Sequence, residues 1–287
     1  MQGCVTISGV TVLRPQVVAH RGASDTEPEH TLAAYLQALE EGADALECDI
    51  RITADGHLVC VHDRRVNRTS DGNGLVSTLE LAQLEGLDWG SWKRLSEANG
   101  GQESEVPDVV ERSDRSHLLT LRNLFGVVKD CGRPVQLAVE TKHPTRYGGL
   151  VERKLVELLH EFGWAEPTPD KPSPVRMMSF SPLAVRRMHQ LAPLVPLVYL
   201  TEYRIPIAMI ESSVPPGAAI GPHVELLREY PRYFERLQAR GRELHVWTAD
   251  TREQVKLCLA AGVAVIITNK PAEVRRQLND LPALAAG

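Results

Sequence analysis

Residues 17–63 read VVAHRGASDTEPEHTLAAYLQALEEGADALECDIRITADGHLVCVHD, and this stretch indicates the fold more clearly than any other part of the chain. Its three short apolar runs end in polar side chains, namely His20-Arg21-Gly22, Glu47-Cys48-Asp49 and His62-Asp63. Because residues two apart in a strand face the same side, we expect Glu47 and Asp49 to project together while Cys48 faces away. Adjacent carboxylates repel unless a cation or a shared proton compensates them, and a divalent metal ion is the simplest compensation.

Strand-like and helix-like segments alternate along the rest of the chain. The strand-like segments are Val17–His20, Ala45–Ile50, His57–His62, Val135–Glu140, Val175–Phe180, Val195–Leu200, Ala218–Gly221, Glu243–Thr248 and Val263–Thr268. Apolar spacing and capping residues predict helices from Leu32 after Thr31, over Gly149–Phe162, and from Asp250, which with Glu253 forms a capping box. Repeated βα units predict a parallel α/β fold, and their number favours a (β/α)8 barrel with one of the nine segments misassigned or outside it.

The connection after Asp49 departs from a regular barrel. Only seven residues separate Asp49 from His57, which leaves no room for a crossover helix. We therefore predict an extended, helix-less connection between strands 2 and 3, in which Arg51–Thr53 descends and Asp55-Gly56 turns the chain at the bottom of the barrel. The chemistry of such a barrel lies at the C-terminal strand ends, where the sequence places His20, Glu47, Asp49, His62, Glu140 and Lys142.

Composition argues against several classes of function. The 287-residue chain has a formal net charge of −5 and no basic stripe, so it lacks the charge pattern of a nucleic-acid-binding protein. No apolar run reaches the roughly 18 residues of a membrane-spanning helix, and the N-terminus lacks the pattern of a signal peptide. The five cysteines are irregularly spaced, which predicts a reducing, cytoplasmic setting. We expect a single domain over residues 1–287, with a polar loop or small insertion at about 90–117.

Six motifs occur in an order that resembles the glycerophosphodiester phosphodiesterase family. They are HRG at 20–22, PEHT at 28–31, ECD at 47–49, TADG at 53–56, HD at 62–63 and ETK at 140–142. The resemblance implies a barrel of the phospholipase C-like phosphodiesterase type. It also implies metal-dependent hydrolysis of glycerophosphodiesters, such as glycerophosphocholine and glycerophosphoethanolamine, to glycerol 3-phosphate and an alcohol. By the same resemblance the substrate's own C2 hydroxyl would attack and give a cyclic phosphate, although direct attack by water is compatible with the same residues.

Phosphodiester cleavage needs a neutralised phosphate, and five residues can supply this. Glu47, Asp49 and Glu140 offer the hard oxygen ligands that Mg²⁺ and Ca²⁺ prefer. Arg21 presents a planar fork for phosphate oxygens, and Lys142 adds a point charge. Both cations are therefore candidate substrate-binding groups.

The cleavage also needs a base for the nucleophile and an acid for the leaving oxygen. His20 and His62, which lie beside the carboxylates at strand ends, are the candidate pair, and the sequence does not decide which acts first. Asp63 is expected to cap a turn or to orient a histidine. In the resembled family, an aromatic residue at the position of Trp247 can line the glycerol end of the pocket.

Structural and functional alternatives remain open at this point. Glu47 and Asp49 could form salt bridges with Arg21 or Arg51, and Glu140 with Lys142 could be a simple ion pair. The chain could instead be a phospholipase D-like enzyme that acts on lysophospholipids, or a non-catalytic module that binds phosphodiesters. The small-molecule partner is a phosphodiester in every case, whereas the alcohol and the oligomeric state are not encoded in a readable pattern.

Two positions depart from the resembled family. His30 stands where the family usually has Asn, and we expect no catalytic role for it, because Glu29 and Thr31 suffice to cap the turn into the first helix. Asn269 and Lys270 stand where an acidic residue commonly follows the Thr, which should weaken one structural tie without involving the proposed metal ligands.

Overall fold

Eight parallel strands form a nearly closed barrel in the computed structural model, which describes residues 4–7, 10–93, 116–145 and 148–280. The described residues form eleven strands in all: β1 (Cys4–Ile7), β2 (Val10–Leu13), β3 (Gln16–His20), β4 (Ala45–Ile52), β5 (Leu58–Cys60), β6 (Gln136–Thr141), β7 (Val175–Ser179), β8 (Leu197–Thr201), β9 (Ala219–Pro222), β10 (His245–Val246) and β11 (Val265–Thr268). β1 and β2 form a separate antiparallel pair. The barrel order is β3-β4-β6-β7-β8-β9-β10-β11, and parallel bridges from Ile220 to Leu244 and from His223 to Trp247 connect β9 with β10. The predicted (β/α)8 architecture is confirmed.

Most of the helices follow barrel strands and pack their apolar faces against the outside of the barrel. They are α1 (Leu32–Glu40), α2 (Leu81–Glu85), α3 (Leu121–Asp130), α4 (Leu150–Glu161), α5 (Pro182–Leu191), α6 (Ile207–Ser213), α7 (Val224–Glu229), α8 (Pro231–Gln238), α9 (Arg252–Ala260) and α10 (Pro271–Asn279). None of the helices in the described part of the chain is long and apolar enough to cross a lipid bilayer.

The predicted cap of α1 is present, whereas that of α9 is wrong. Thr31 accepts a hydrogen bond from the first turn of α1, as its position predicts. At α9, the capping box is formed by Thr251 and Gln254. Asp250 does not cap this helix, because its carboxylate accepts hydrogen bonds from the hydroxyl of Thr268 and the backbone of the following residue.

One of the nine predicted strands lies outside the barrel. β5 pairs antiparallel with the end of β4, with Ile50 opposite Cys60, and the third barrel strand is β6. The prediction that the chain descends after Arg51 and turns at the bottom of the barrel is wrong. A connection this short closes an antiparallel hairpin, and the turn at Asp55-Gly56 therefore lies above the C-terminal end of β4.

A separate apolar cluster supports the chain beyond this turn. We call β5 and the residues after it, as far as 93, the hairpin extension. Its cluster is formed by Val59, Val61, Val66, Val76, Leu84, Trp89 and Leu118. The polar segment predicted at about 90–117 falls mostly on residues 94–115, which lie outside the described residues.

Strand pairing decides which side chains face the interior of the barrel. The interior is filled by Val18, Ala45, Ala138, Met178, Val198, Leu200, Ala219, Val265 and Ile267. Cys48 belongs to the layer between strands and helices. Because side chains alternate along β4, Glu47 and Asp49 point inward above Ala45, as the sequence predicts.

Candidate active site

Three buried carboxylates meet at the C-terminal ends of β4 and β6. Glu47 and Asp49 project from one face of β4, and the strand register places Glu140 of β6 opposite Asp49. One ligand oxygen from each residue lies within 4.8 Å of the other two. The structure therefore brings together the three residues that the sequence proposes as metal ligands.

Burial and mutual repulsion oppose ionisation of these carboxylates, and two cationic side chains favour it. Burial and the charge of Asp49 raise the pKa of Glu47 well above its usual value and raise the pKa of Glu140 to about 8. Burial also opposes ionisation of Asp49, but Lys142 and Arg21 outweigh it and hold the pKa of Asp49 well below its usual value. Lys142 Nζ lies 3.0 Å from Asp49 Oδ1 and 2.7 Å from Glu140 Oε1.

The donor set fits a hard divalent cation. Asp49 Oδ1 is buried and accepts no hydrogen bond of favourable geometry, although the ammonium of Lys142 is near it. A carboxylate oxygen carries more than one lone pair, so Asp49 Oδ1 could contact a metal ion beside Lys142. A divalent ion would also offset the repulsion that raises the pKa values of Glu47 and Glu140.

His20 is oriented by a hydrogen-bond chain from β11 and the loop before α9. Its Nδ1 lies 2.7 Å from Asn269 Oδ1, and Asn269 Nδ2 donates to Asp250 Oδ2 at 2.6 Å. Because a carboxylate only accepts, Asp250 turns the amide oxygen of Asn269 toward His20, which must then carry its proton on Nδ1. The free Nε2 of His20 lies 4.0 Å from Glu47 Oε2. Burial and the charge of Arg21 lower the pKa of His20 to about 4.

His62 shows the same hydrogen-bond pattern with a different partner. Its Nδ1 lies 2.7 Å from Asp63 Oδ1, and Asp63 Oδ2 accepts a hydrogen bond from Arg68 Nε at 2.7 Å. The backbone oxygen of His62 accepts two hydrogen bonds from the Arg51 guanidinium, at 2.8 and 2.6 Å. Burial lowers the pKa of His62. Asp63 thus orients a histidine, which is one of the two roles that the sequence proposes for it.

The loop after β3 holds Arg21 against the carboxylates. Arg21 and Gly22 both have positive φ, 59° and 85°. A Cβ at Gly22 would lie 2.6 Å from the backbone carbon of Ala34 in α1, so this crossing of loop and helix requires glycine. The guanidinium reaches Asp49 Oδ2 through Nε and Glu29 Oε1 through Nη1, each at 3.0 Å. Arg21, and not Arg51, is therefore the arginine that pairs with the acid cluster.

His30 contacts the acid cluster directly, and this contact was not predicted from the sequence. Its Nε2 lies 3.0 Å from Asp49 Oδ2, and its Nδ1 lies 2.8 Å from the hydroxyl of Tyr35. Since the carboxylate accepts, Nε2 donates the proton in the contact with Asp49. The Tyr35 hydroxyl also lies 3.2 Å from the backbone oxygen of Glu47. His30 therefore positions a proposed metal ligand from behind.

A pocket of about 260 Å³ opens beside these groups, and we call it the acidic pocket. Apart from Asp49, which lies behind the pocket wall, the predicted site residues line it: His20, Arg21, Glu47, His62, Glu140, Lys142 and Trp247. The indole of Trp247 donates to the backbone oxygen of Gly221 at 2.8 Å. Its ring meets that of Phe180 edge to face, with centroids 5.4 Å apart. The two rings form one apolar wall of the pocket.

Three residues of the candidate site were not identified as site residues from the sequence. Phe180 was placed only at the end of the strand-like segment Val175–Phe180, without a role in the site. Glu202 follows β8 and lines the acidic pocket, without a motif to mark it. Asn269 was expected only to weaken a structural tie, and its hydrogen bond to His20 appears only when β11 pairs with β3.

Comparison with known proteins gives a consistent result. The model of the glycerophosphoryl diester phosphodiesterase family matches residues 20–273. A Mycobacterium tuberculosis protein named probable glycerophosphodiester phosphodiesterase 1 is 48% identical over 266 residues, which cover 93% of each chain. The glycerophosphodiester phosphodiesterase of Bacillus subtilis is 31% identical over 258 residues, which cover 88% of this chain and 83% of that protein.

Solved structures share the fold at lower sequence identity. A phosphodiesterase of Oleispira antarctica, determined in complex with the product sn-glycerol-3-phosphate, superposes with a TM-score of 0.72 at 24% identity, over 92% of this chain and 97% of that chain. A glycerophosphodiester phosphodiesterase of Agrobacterium tumefaciens superposes with a TM-score of 0.68 at 22% identity, over 91% and 99% of the two chains.

Proposed function

Because the chain belongs to the glycerophosphoryl diester phosphodiesterase family, we propose that it hydrolyses glycerophosphodiesters such as glycerophosphocholine and glycerophosphoethanolamine to glycerol 3-phosphate and an alcohol. The observation that carries this proposal is the convergence of three buried carboxylates and two oriented histidines on the acidic pocket. The product found with the Oleispira enzyme supports glycerol 3-phosphate as the product here. The unpaired cysteines among the described residues support a reducing, cytoplasmic setting.

We assign the carboxylates to metal binding and two cations to phosphate binding. Glu47, Asp49 and Glu140 would hold Mg²⁺ or Ca²⁺, which neutralises phosphate charge and lowers the pKa of a nearby hydroxyl. Lys142 would attract the phosphate while favouring the ionised forms of Asp49 and Glu140. Arg21 uses Nε and Nη1 on Asp49 and the loop after β3, so its Nη2 group would face the phosphate.

We assign His20 as the proton acceptor and His62 as the proton donor. The partner of His20 is the neutral amide of Asn269, whereas the partner of His62 is the carboxylate of Asp63, which favours a protonated imidazole. His20 Nε2 would remove the proton of the attacking hydroxyl as the new P–O bond forms. His62 Nε2 would deliver its proton to the alcohol oxygen as the old P–O bond breaks. Transient glycerol cyclic phosphate in a phosphorus NMR time course would identify the substrate hydroxyl as nucleophile, and its absence would favour water.

The apolar wall of the acidic pocket suits the glycerol end of the substrate. Trp247 and Phe180 offer ring faces to the carbon atoms of glycerol. The position of Lys142, 5.8 Å from the centroid of the Phe180 ring, would keep the phosphate close to this wall.

A lysophospholipid substrate is a second candidate, and one observation favours it. Large apolar side chains are exposed on the segments that follow β7 and β8, namely Phe180 (37%), Leu183 (56%), Tyr203 (74%) and Met209 (56%). Because these segments leave the C-terminal strand ends, the side chains lie on the same face of the barrel as the acidic pocket, where an acyl chain could be covered.

The first experiment measures glycerol 3-phosphate released from glycerophosphocholine by the wild-type protein. The reaction is run in EDTA and again after Mg²⁺ or Ca²⁺ is restored. His62→Ala tests the site, and His57→Ala is the matched control, since His57 is an exposed histidine on the hairpin turn. We expect metal-restored activity in wild type and His57→Ala, and a loss in His62→Ala.

Each other outcome has a defined meaning. Activity in excess EDTA would contradict the metal assignment. Activity on lysophosphatidylcholine alone would favour the second candidate. Binding of glycerophosphodiesters without turnover would indicate a non-catalytic phosphodiester-binding module.

A further inference from the structure

A second cavity, of about 450 Å³, adjoins the acidic pocket. We call it the arginine cavity, after Arg51 at the end of β4 and Arg64 in the hairpin extension, both of which line it. Lys142 lines both cavities. A phosphate attracted by Lys142 would therefore lie at the boundary between them, with one ester oxygen directed to each side.

The two cavities differ in the charges that line them. The described residues that line the arginine cavity include three cations and no Asp or Glu. The lining of the acidic pocket combines Arg21 and Lys142 with the glutamates Glu47, Glu140 and Glu202. A metal ion would offset the first two glutamates, but Glu202 follows β8 and belongs to neither β4 nor β6. A second anionic group would therefore meet Glu202 on the side of the acidic pocket, whereas the described charges around the arginine cavity are all positive.

Neither arginine of this cavity forms an ion pair with a described carboxylate. Arg51 directs Nε and Nη2 to the backbone oxygen of His62, and Arg64 is exposed. Burial, with a contribution from the charge of Arg64, lowers the pKa of Arg51 despite the carboxylates farther away. By contrast, Arg68 in the same extension pairs with both Glu29 and Asp63. Carboxylates therefore neutralise Arg68, whereas Arg51 and Arg64 line an open cavity.

We infer that the arginine cavity receives the leaving alcohol and favours alcohols that carry a second anionic group, a phosphate or a carboxylate. This inference rests on the proposed diesterase function. Guanidinium groups bind phosphate and carboxylate oxygens through parallel donors, and Ser77 adds a hydroxyl to the same wall. The arrangement assigns glycerol to the aromatic wall and the charged alcohol to the hairpin extension.

The test compares three diesters that differ only at the far end of the leaving alcohol. They are glycerophosphoglycerol, the same diester with a phosphate on its terminal hydroxyl, and the same diester with a terminal carboxylate. We expect wild type to cleave both anionic diesters with a higher kcat/KM than the neutral one, and this preference to shrink as salt is added. The two anionic substrates distinguish a phosphate site from a carboxylate site.

Variants of Arg64 test whether this residue causes the preference for anionic diesters. Arg64→Ala should lower kcat/KM for the anionic diesters by about fivefold, which is the upper range for an exposed ion pair, and leave the neutral diester unchanged. Arg64→Glu should reverse the preference. Arg65→Ala is the matched control, because the neighbouring guanidinium contacts Asn67 and Asn73 and does not line the cavity.

A binding measurement separates this inference from the proposed function. Calorimetric titration of the three diesters into His20→Ala, with Mg²⁺ or Ca²⁺ present, reports affinity without turnover. Tighter binding of the anionic diesters, lost in His20→Ala/Arg64→Ala, would support the inference even if wild type cleaved none of them. Equal binding of the three diesters, or a loss in Arg64→Ala that is the same for all of them, would overturn it while diesterase activity stands.

Discussion

The barrel rim and the hairpin extension each supply one histidine, and they support it in different ways. On the rim, His20 is 17% exposed and its Nδ1 meets the neutral amide of Asn269. On the extension, the side chain of His62 is 33% exposed and its Nδ1 meets the carboxylate of Asp63. Each imidazole is therefore oriented by a hydrogen bond from Nδ1, but the acceptor is neutral for His20 and negatively charged for His62. One residue type can in this way provide a base and an acid within a single site.

The largest expected effect is on kcat, and a change of leaving group should distinguish the roles of the two histidines. His20→Ala and His62→Ala should each lower kcat for glycerophosphocholine by about a thousandfold, the usual scale for loss of a general acid or base. With p-nitrophenyl glycerophosphate, whose leaving group needs no proton, His62→Ala should recover most of its activity and His20→Ala should not. Recovery of His20→Ala instead would reverse the assignment.

The next effect concerns stability, and it compares a glycine in each region. Gly22 on the rim and Gly56 at the tip of the extension both have positive φ, 85° and 90°. An added Cβ at Gly22 meets the backbone of α1 at 2.6 Å, whereas none of the described atoms lies within 4 Å of one at Gly56. Gly22→Ala should lower the free energy of unfolding by about 3 kcal/mol and Gly56→Ala by about 1 kcal/mol, measured by denaturant titration. Equal losses would mean that α1 moves away at no cost.

A smaller effect follows from the charge behind His62. Asp63→Asn keeps an oxygen near Nδ1 but removes the negative charge, and the hydrogen bond that His62 donates to Asp63 acts to raise the pKa of His62. Because the pKa should fall and a donor must be protonated, the alkaline limb of the kcat/KM profile should move to lower pH, with about a tenfold loss on that limb. Asn269→Ala, which changes no charge, should lower kcat without a comparable shift of either limb. A shift of the acid limb alone in Asp63→Asn would contradict the donor role.

The smallest effect concerns stability. In the metal-free protein, the free energy of unfolding should depend on pH in opposite directions for the rim and for the extension. The pKa of Glu140 is raised from 4.5 to about 8, so the folded rim binds a proton more tightly than the unfolded chain. Protonation of Glu140 therefore stabilises the fold fully below about pH 4.5, and this stabilisation is lost as the pH rises toward 8. Arg68 lowers the pKa values of Glu29 and Asp63 despite their burial, so their contribution is present at neutral pH and is lost as the pH falls through the lowered values.

Melting temperatures in EDTA would show both trends. Glu140→Gln should flatten the decline between about pH 5 and 8, and Arg68→Ala should flatten the decline in acid. Added Mg²⁺ or Ca²⁺ should remove the first trend only, because the metal takes the place of the proton on the rim. A decline toward pH 8 that persists in saturating metal would count against metal binding by these carboxylates.

The rim was predictable from the sequence, because simple rules place its residues. Alternation along a strand puts Glu47 and Asp49 on one face, and parallel strands end at one edge of the barrel. Glu140 is therefore expected near Asp49 without knowledge of the loops between them. The register that pairs these two residues confirms the expectation.

The extension was not predictable in the same way. The short link from Asp49 to His57 was recognised as unusual, but the chain was assigned a descent where it forms a hairpin. The predicted descent and the observed hairpin both return His62 to the same rim. The position of the histidine was therefore predicted correctly, although the predicted course of the chain was wrong. The position of Arg64 depends on the hairpin itself, and for that reason the arginine cavity could not be anticipated.

The contact between His20 and Asn269 joins residues 249 positions apart, whereas the contact between Arg51 and the backbone of His62 joins residues 11 apart. During synthesis the hairpin contact can form as soon as its own segment has emerged, but the imidazole of His20 stays unoriented until β11 is added. Chains shortened before Asn269 would therefore contain all three proposed metal ligands and both histidines, yet lack the hydrogen bond that selects the tautomer of the base. Addition of β11 therefore closes the barrel and orients this histidine in the same step.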